Sequence, residues 1–123
     1  MIYSDLTFKV RAAIFKVYNY WGPGLYEQIY EESLVYGLKK DGLKVETQVA
    51  LPVVYDGVKL SCDYQLDMLV DDKIIIELKS VEDLQKVHFK QLLTYLRLSN
   101  KRLGLLVNFN TDNILSAIHR VAN

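Results

Sequence analysis

From Lys44 to Lys79 the apolar residues recur at every second position, whereas on either side they recur every three or four. A period of two belongs to a strand with one face buried, and a period near 3.6 to an amphipathic helix. The double switch predicts a sheet packed against helices.

On the N-terminal side, residues 3 to about 20 place Leu6, Val10, Ala13, Ile14 and Val17 on one helical face, with Ser4 or Asp5 as the expected cap. Trp21-Gly22-Pro23-Gly24 must end that helix, because the residue before proline leaves the α region and glycine favours a helix end. A second helix is expected from near Leu25 to Lys40, with Tyr26, Tyr30, Leu34 and Leu38 inward, ending at Asp41-Gly42.

Val45, Thr47, Val49 and Leu51 then alternate with Glu46 and Gln48, and Pro52 argues for an edge strand or a bulge. Asp56-Gly57 is a hairpin turn leading into a strand from about Lys59 to Val70. Asp71-Asp72-Lys73 turns the chain again into a strand from Ile74 to Lys79. The helical period returns from Val81 or Glu82 through Leu98. Leu103 to Phe109 reads as a central, parallel strand buried on both faces, and a short helix from Thr111 or Asp112 to about Val121 closes the chain. The prediction is an α/β mixed sheet flanked by helices, in one domain spanning 1–123.

Fifteen Lys and Arg balance fifteen Asp and Glu, which excludes a general basic coat for nucleic acid but not a local patch. Cys62 is the only cysteine, so no intrachain disulfide or thiolate zinc site is expected. The apolar runs fall far short of the ~20 residues needed to cross a bilayer, and Met1 to Asp5 lacks the basic lead and apolar stretch of a secretory signal. The expectation is a cytoplasmic protein with no membrane partner.

The chemistry concentrates between Cys62 and Lys79. On the Ile74–Lys79 strand, Ile74, Ile76 and Leu78 share one face while Ile75, Glu77 and Lys79 share the other. A three-residue loop before it sets Asp67 directly across from Glu77, whereas a two-residue turn would put Asp67 across from Ile76. The longer loop is predicted. Two carboxylates and the Lys79 ammonium then project from apolar surroundings, a costly burial unless the acids hold a cation or pair with the lysine. Oxygen ligands of this kind suit Mg²⁺ or Mn²⁺. The plain alternative is a structural ion pair on a solvated sheet face.

The Glu82–Leu98 helix has an apolar stripe through Leu84, Val87, Tyr95 and Leu98, and His88 and Gln91 interrupt it. Polar groups aimed at the sheet there suggest a site, against the alternative of a satisfied boundary histidine. Lys86, Lys90 and Arg97 align on the other side, as a phosphate-tracking stripe or an ordinary solvated face. Glu27 falls in a first helical turn, where the helix dipole favours a carboxylate, and Glu31 and Glu32 read as solvated surface. Cys62 is expected to be a buried small hydrophobe and His119 a surface residue. The nine tyrosines, Tyr18, Tyr20, Tyr36 and Tyr55 among them, serve either an aromatic interface or the core boundary.

Gly24-Leu25-Tyr26-Glu27-Gln28-Ile29-Tyr30 resembles the signature of the GxxExxY family of small proteins. The likeness runs through Gly22-Pro23-Gly24, Asp67-Met68-Leu69-Val70, Glu77-Leu78-Lys79, His88 to Leu96 and Gly104 to Phe109. That family resembles a minimal PD-(D/E)XK nuclease, whose restriction-endonuclease-like αβββαβ core agrees with the element order read here, with an extra N-terminal helix. The resemblance implies Asp67 and Glu77 as metal ligands, the Leu78 carbonyl as a further ligand, Lys79 as the motif lysine and Glu27 as the helix acid completing the metal site. Gln91 and Tyr95 are similar to the QxxxY element placed near the DNA backbone. Leu66 stands where the motif's proline would be, and Gln65 stands where a basic residue is expected.

The function expected is Mg²⁺- or Mn²⁺-dependent phosphodiester hydrolysis of DNA. Glu27, Asp67, Glu77, Lys79 and Gln91 form the catalytic set, and His88, Tyr95, Lys86 and Lys90 contact the strand. Two alternatives are an interaction module that keeps the fold without catalysis, and an RNA-processing enzyme using the same metal. Neutral charge makes a homodimer or a protein partner part of the expectation.

Overall fold

The first helix, α1 (Ser4–Trp21), ends where glycine takes over, with Gly22 at φ 71° donating its N–H to the Tyr18 carbonyl at 2.7 Å. Helix α2 (Glu27–Lys40) follows after a loop, and the computed structural model describes residues 2–123 of the chain. Three antiparallel strands come next: β1 (Val45–Tyr55), β2 (Val58–Val70) and β3 (Ile74–Lys79). Helix α3 (Lys86–Ser99) crosses back to β4 (Leu103–Asn108), which lies parallel to β3. A 3₁₀ turn at Ile114–Ala117 leads to β5 (Ile118–Ala122), antiparallel to β4. The sheet order is β1-β2-β3-β4-β5.

Helices α1 and α2 cover one sheet face, where Val10, Ile14, Tyr30, Leu34 and Leu38 join Met68, Val70, Ile74, Ile76, Leu105 and Val107. Helix α3 covers the other through Leu92, Tyr95 and Leu96 against Leu51, Leu66, Leu69, Ile75 and Leu106. β3 and β4 are therefore covered on both sides, and β4 is buried along its whole length.

Several sequence expectations give way. The C-terminal helix is instead a 3₁₀ turn followed by a strand. Ile114, Ala117, Ile118 and Val121 have the spacing of a helical face, but β4 would otherwise leave a buried edge with unpaired backbone groups. Pairing with β5 wins over local periodicity. Helix α3 starts at Lys86 rather than Val81 or Glu82 because the crossover backbone is committed elsewhere. The Asn108 side chain accepts from the Val81 N–H at 3.1 Å and donates to the Val81 carbonyl at 2.9 Å. Neither Ser4 nor Asp5 caps α1: Tyr3 holds that position, without a side-chain hydrogen bond. Tyr26, expected inward, is exposed just before α2, as is Val87 on α3.

Cys62 is exposed rather than buried. β3 pairs with β2 only over Met68–Val70, so the hairpin around Asp56-Gly57 projects beyond the sheet. Pro52 sits on edge strand β1 at the register shift, as its missing N–H demands. His119 is half-buried, with Phe89 edge-on to it at 5.3 Å.

At Gly104, α3 approaches β4 so closely that a Cβ would lie 2.7 Å from a Leu92 methyl. Leu92 is itself fully buried and has little room to retreat. Gly104→Ala should therefore cost about 1–3 kcal/mol in urea unfolding.

Candidate active site

The pairs Val70↔Ile74, Leu69↔Ile75 and Met68↔Ile76 follow from the three-residue loop Asp71–Lys73, and the next rung sets Asp67 against Glu77. At that rung side chains take over from the backbone ladder. The Asp67 N–H donates to Glu77 Oε1 at 3.2 Å, and the Leu78 N–H donates to Asp67 Oδ2 at 3.2 Å. Each carboxylate thus caps the partner strand's backbone, and the two acids meet at a fork between β2 and β3.

Glu77 is only 2% exposed, so the pair does not lie on a solvated sheet face. Burial, then the Asp67 charge beside it, pushes the Glu77 carboxyl up to about 9, with Lys79 opposing weakly. Lys79 is half-buried, and among the described residues the ion pairs are Lys44–Glu46 and Lys101–Asp72, neither of which touches the fork. The acids lack a direct countercharge.

Local sequence sets Glu27 beside this fork. Gly24, at φ 91°, turns the chain into α2. The Tyr30 hydroxyl, one helical turn after Glu27, donates to the Gly22 carbonyl at 2.6 Å and accepts from the Leu25 N–H at 3.1 Å. Tyr30 is anchored by stacking on Phe109 at 4.3 Å. The spacing of Gly24, Glu27 and Tyr30 is thus that of a loop clamped by the tyrosine it precedes. Glu27 Oε1 accepts from the Ser80 N–H at 3.3 Å, and Ser80 Oγ donates to the Leu25 carbonyl at 2.6 Å.

Glu27, Gln28, Glu31, Gln48, Asp67 and Leu78 line a cavity of about 410 Å³. Glu31 is thereby not ordinary surface: Gln48 Nε2 donates to its Oε1 at 3.0 Å. Its carboxyl is raised first by burial, against the Gln48 hydrogen bond, and further by the charges of Asp67, Glu32 and Glu27. The available signal was its position four residues after Glu27, on the same helical face. A larger hollow of about 620 Å³ between α1 and α2 lies against Trp21 and Tyr36 and holds none of the fork residues.

On the α3 side, Gln91 Nε2 donates to the Tyr95 hydroxyl at 2.7 Å, and Tyr95 packs 5.8 Å from Tyr64. The Tyr95 hydroxyl is raised by burial above all, lowered by Gln91, and raised again by the charges of Glu77 and Asp67. Gln91 and Tyr95 lie on α3, and Tyr95 packs on the sheet face opposite α2. His88 serves its own helix, where its Nδ1 accepts the Gln85 N–H at 2.9 Å in a capping box. Lys86, Lys90 and Arg97 are exposed on α3.

No three His, Cys, Asp or Glu side chains converge on a metal-sized point among the described residues. Two carboxylates with one backbone carbonyl still match what Mg²⁺ takes, since that ion keeps several waters and needs only one or two acids. Burial first and the Asp67 charge second keep a proton on Glu77, so a cation ligated there would have to displace it. The donor set fits a hard divalent cation.

The family model of the PD-(D/E)XK nuclease superfamily matches residues 4–121. The chain belongs to the PD-(D/E)XK nuclease superfamily. The mixed five-strand sheet, flanked by helices with an N-terminal helix among them, is consistent with the superfamily's restriction-endonuclease-like fold. No curated protein and no solved structure matches the chain. No helix among the described residues is long and apolar enough to cross a membrane.

Proposed function

We propose that this superfamily member hydrolyses phosphodiester bonds in DNA, using Mg²⁺ or Mn²⁺ at the β2–β3 fork. The observation that carries the reading is the buried Glu77 carboxyl held against Asp67 with no ion-paired cation among the described residues. Asp67, Glu77 and the Leu78 carbonyl hold the metal, and Glu27 completes the set from the start of α2. When bound, such an ion would supply positive charge to the phosphodiester transition state and a more acidic water. Lys79, on the Glu77 strand and free of any ion pair among the described residues, orients the attacking water or a phosphate oxygen. Gln91 and Tyr95 seat the strand from α3, while Lys86, Lys90 and His88 extend that contact outward along its first turns.

Neutral net charge gives one copy weak hold on a polyanion, which supports a second copy or a protein partner in the working enzyme. Exposed Tyr20, Tyr36 and Tyr55 are available for such an interface.

Mn²⁺ at about a hundredfold excess over Kd should raise the melting temperature by roughly 8 °C. At pH 7 binding should release about one proton, because Glu77 must ionise to ligate. Calorimetry in buffers of different ionisation enthalpy reads that proton. Melting is the better signal than tryptophan emission, since Trp21 bonds to Ser33 and lies outside the acidic cavity. DNA of single-stranded, duplex and branched form should be cut in the presence of either ion. Failure to cut any of them refutes the proposal.

A further inference from the structure

Gln48 takes φ 51° in the middle of β1, a left-handed backbone that residues other than glycine rarely adopt inside a strand. The β1–β2 pairs Thr47↔Met68 and Val49↔Leu66 flank it, so the rung between them belongs to Gln48 and Asp67. Across that rung the two strands exchange faces. Val45, Met68 and Val70 pack toward α1 and α2, whereas Leu51 and Leu66 pack toward α3, with Val49 against them. Strict alternation would keep Leu66, Met68 and Val70 on one side.

The exchange occurs where β2 must release its ladder with β3, so that Asp67 can cross to the Leu78 N–H and receive Glu77 on its own. A further contact lies beside the turnover. The Gln48 carboxamide ties β1 to Glu31 on α2, and both residues line the cavity that Asp67 enters.

We propose that Gln48 is a positioning residue for Asp67: its left-handed backbone turns β1 and β2 over at their shared rung and delivers the Asp67 carboxylate to Glu77. The catalytic meaning of this device rests on the nuclease reading above; its structural content does not.

The test compares Gln48→Gly, Gln48→Ala and Gln48→Val without metal, by amide hydrogen exchange at Asp67 and Leu78. Glycine keeps the left-handed backbone, so both amides should exchange within about threefold of their natural rate. Valine opposes it most, and should speed both by at least tenfold while Leu105 and Leu106 in β4 stay protected. If valine prevents folding, alanine carries the comparison, since it differs from glycine only by the Cβ. Mn²⁺ affinity should follow the same order. Alanine and valine exchanging as slowly as glycine would overturn the proposal, as would glycine exchanging as fast as valine, which would assign the role to the side chain. A natural protein that ignores Mn²⁺ sinks the nuclease reading and leaves the exchange result to stand or fall separately.

Discussion

Glu77→Gln should make the metal-free protein more stable and deaf to Mg²⁺ and Mn²⁺. Glutamine keeps an oxygen for the Asp67 N–H and gains an N–H₂ to offer the Asp67 carboxylate, so the fork stays hydrogen-bonded. The carboxyl it replaces is held near 9 in the fold against an ordinary value of 4.5. Between those values the folded state keeps a proton that the unfolded chain has given up. The Glu77 contribution to stability is therefore fully present below about pH 4.5 and is lost as pH rises toward 9, at up to about 1.4 kcal/mol per pH unit.

The variant should flatten that slope and gain up to about 5 kcal/mol at pH 8, read by urea unfolding across the pH range. Mn²⁺ should no longer raise its melting temperature. Loss of stability on substitution, with an unchanged pH slope, would identify Glu77 as an ionised member of a structural ion pair instead.

Lys79→Ala should cut cleavage by at least about a hundredfold in kcat, the scale of one lost positioning group in the transition state. Its effect on metal binding should be smaller and dependent on pH. The Lys79 charge lowers the Glu77 carboxyl, so removing it raises that carboxyl further and makes ligation compete harder with a proton. Mn²⁺ affinity should fall a few-fold at pH 7 and recover as pH rises. Asp67→Ala, by contrast, should lose both metal binding and cleavage at every pH while the chain still folds. Equal loss of Mn²⁺ affinity at all pH values in the two variants would remove Lys79 from its role beside the water.

The strongest expectations read from the sequence are those carried by short-range rules. Strand parity and the three residues Asp71–Lys73 set Asp67 across from Glu77, because each residue added to a loop moves the register by one and flips every side chain. Gly22-Pro23-Gly24 stops α1 where backbone sterics require it. The apolar run Leu103–Val107 marks a strand covered on both faces. Other features lie outside any local rule. β5 exists because β4 has an edge to fill, although Ile114 to Val121 carries a helical period. His88 interrupts an apolar stripe for the sake of a helix cap.

What the sequence by itself determined is the pairing of the two acids on neighbouring strands, together with the helices that cover the sheet. Only the tertiary structure decided the environment of that pair. Burial of Glu77, the approach of Glu27 and Glu31 from α2, and the turnover at Gln48 join residues between 10 and 53 positions apart. A carboxyl's charge depends on which dielectric and which neighbours surround it, and those are supplied by segments far away in the chain.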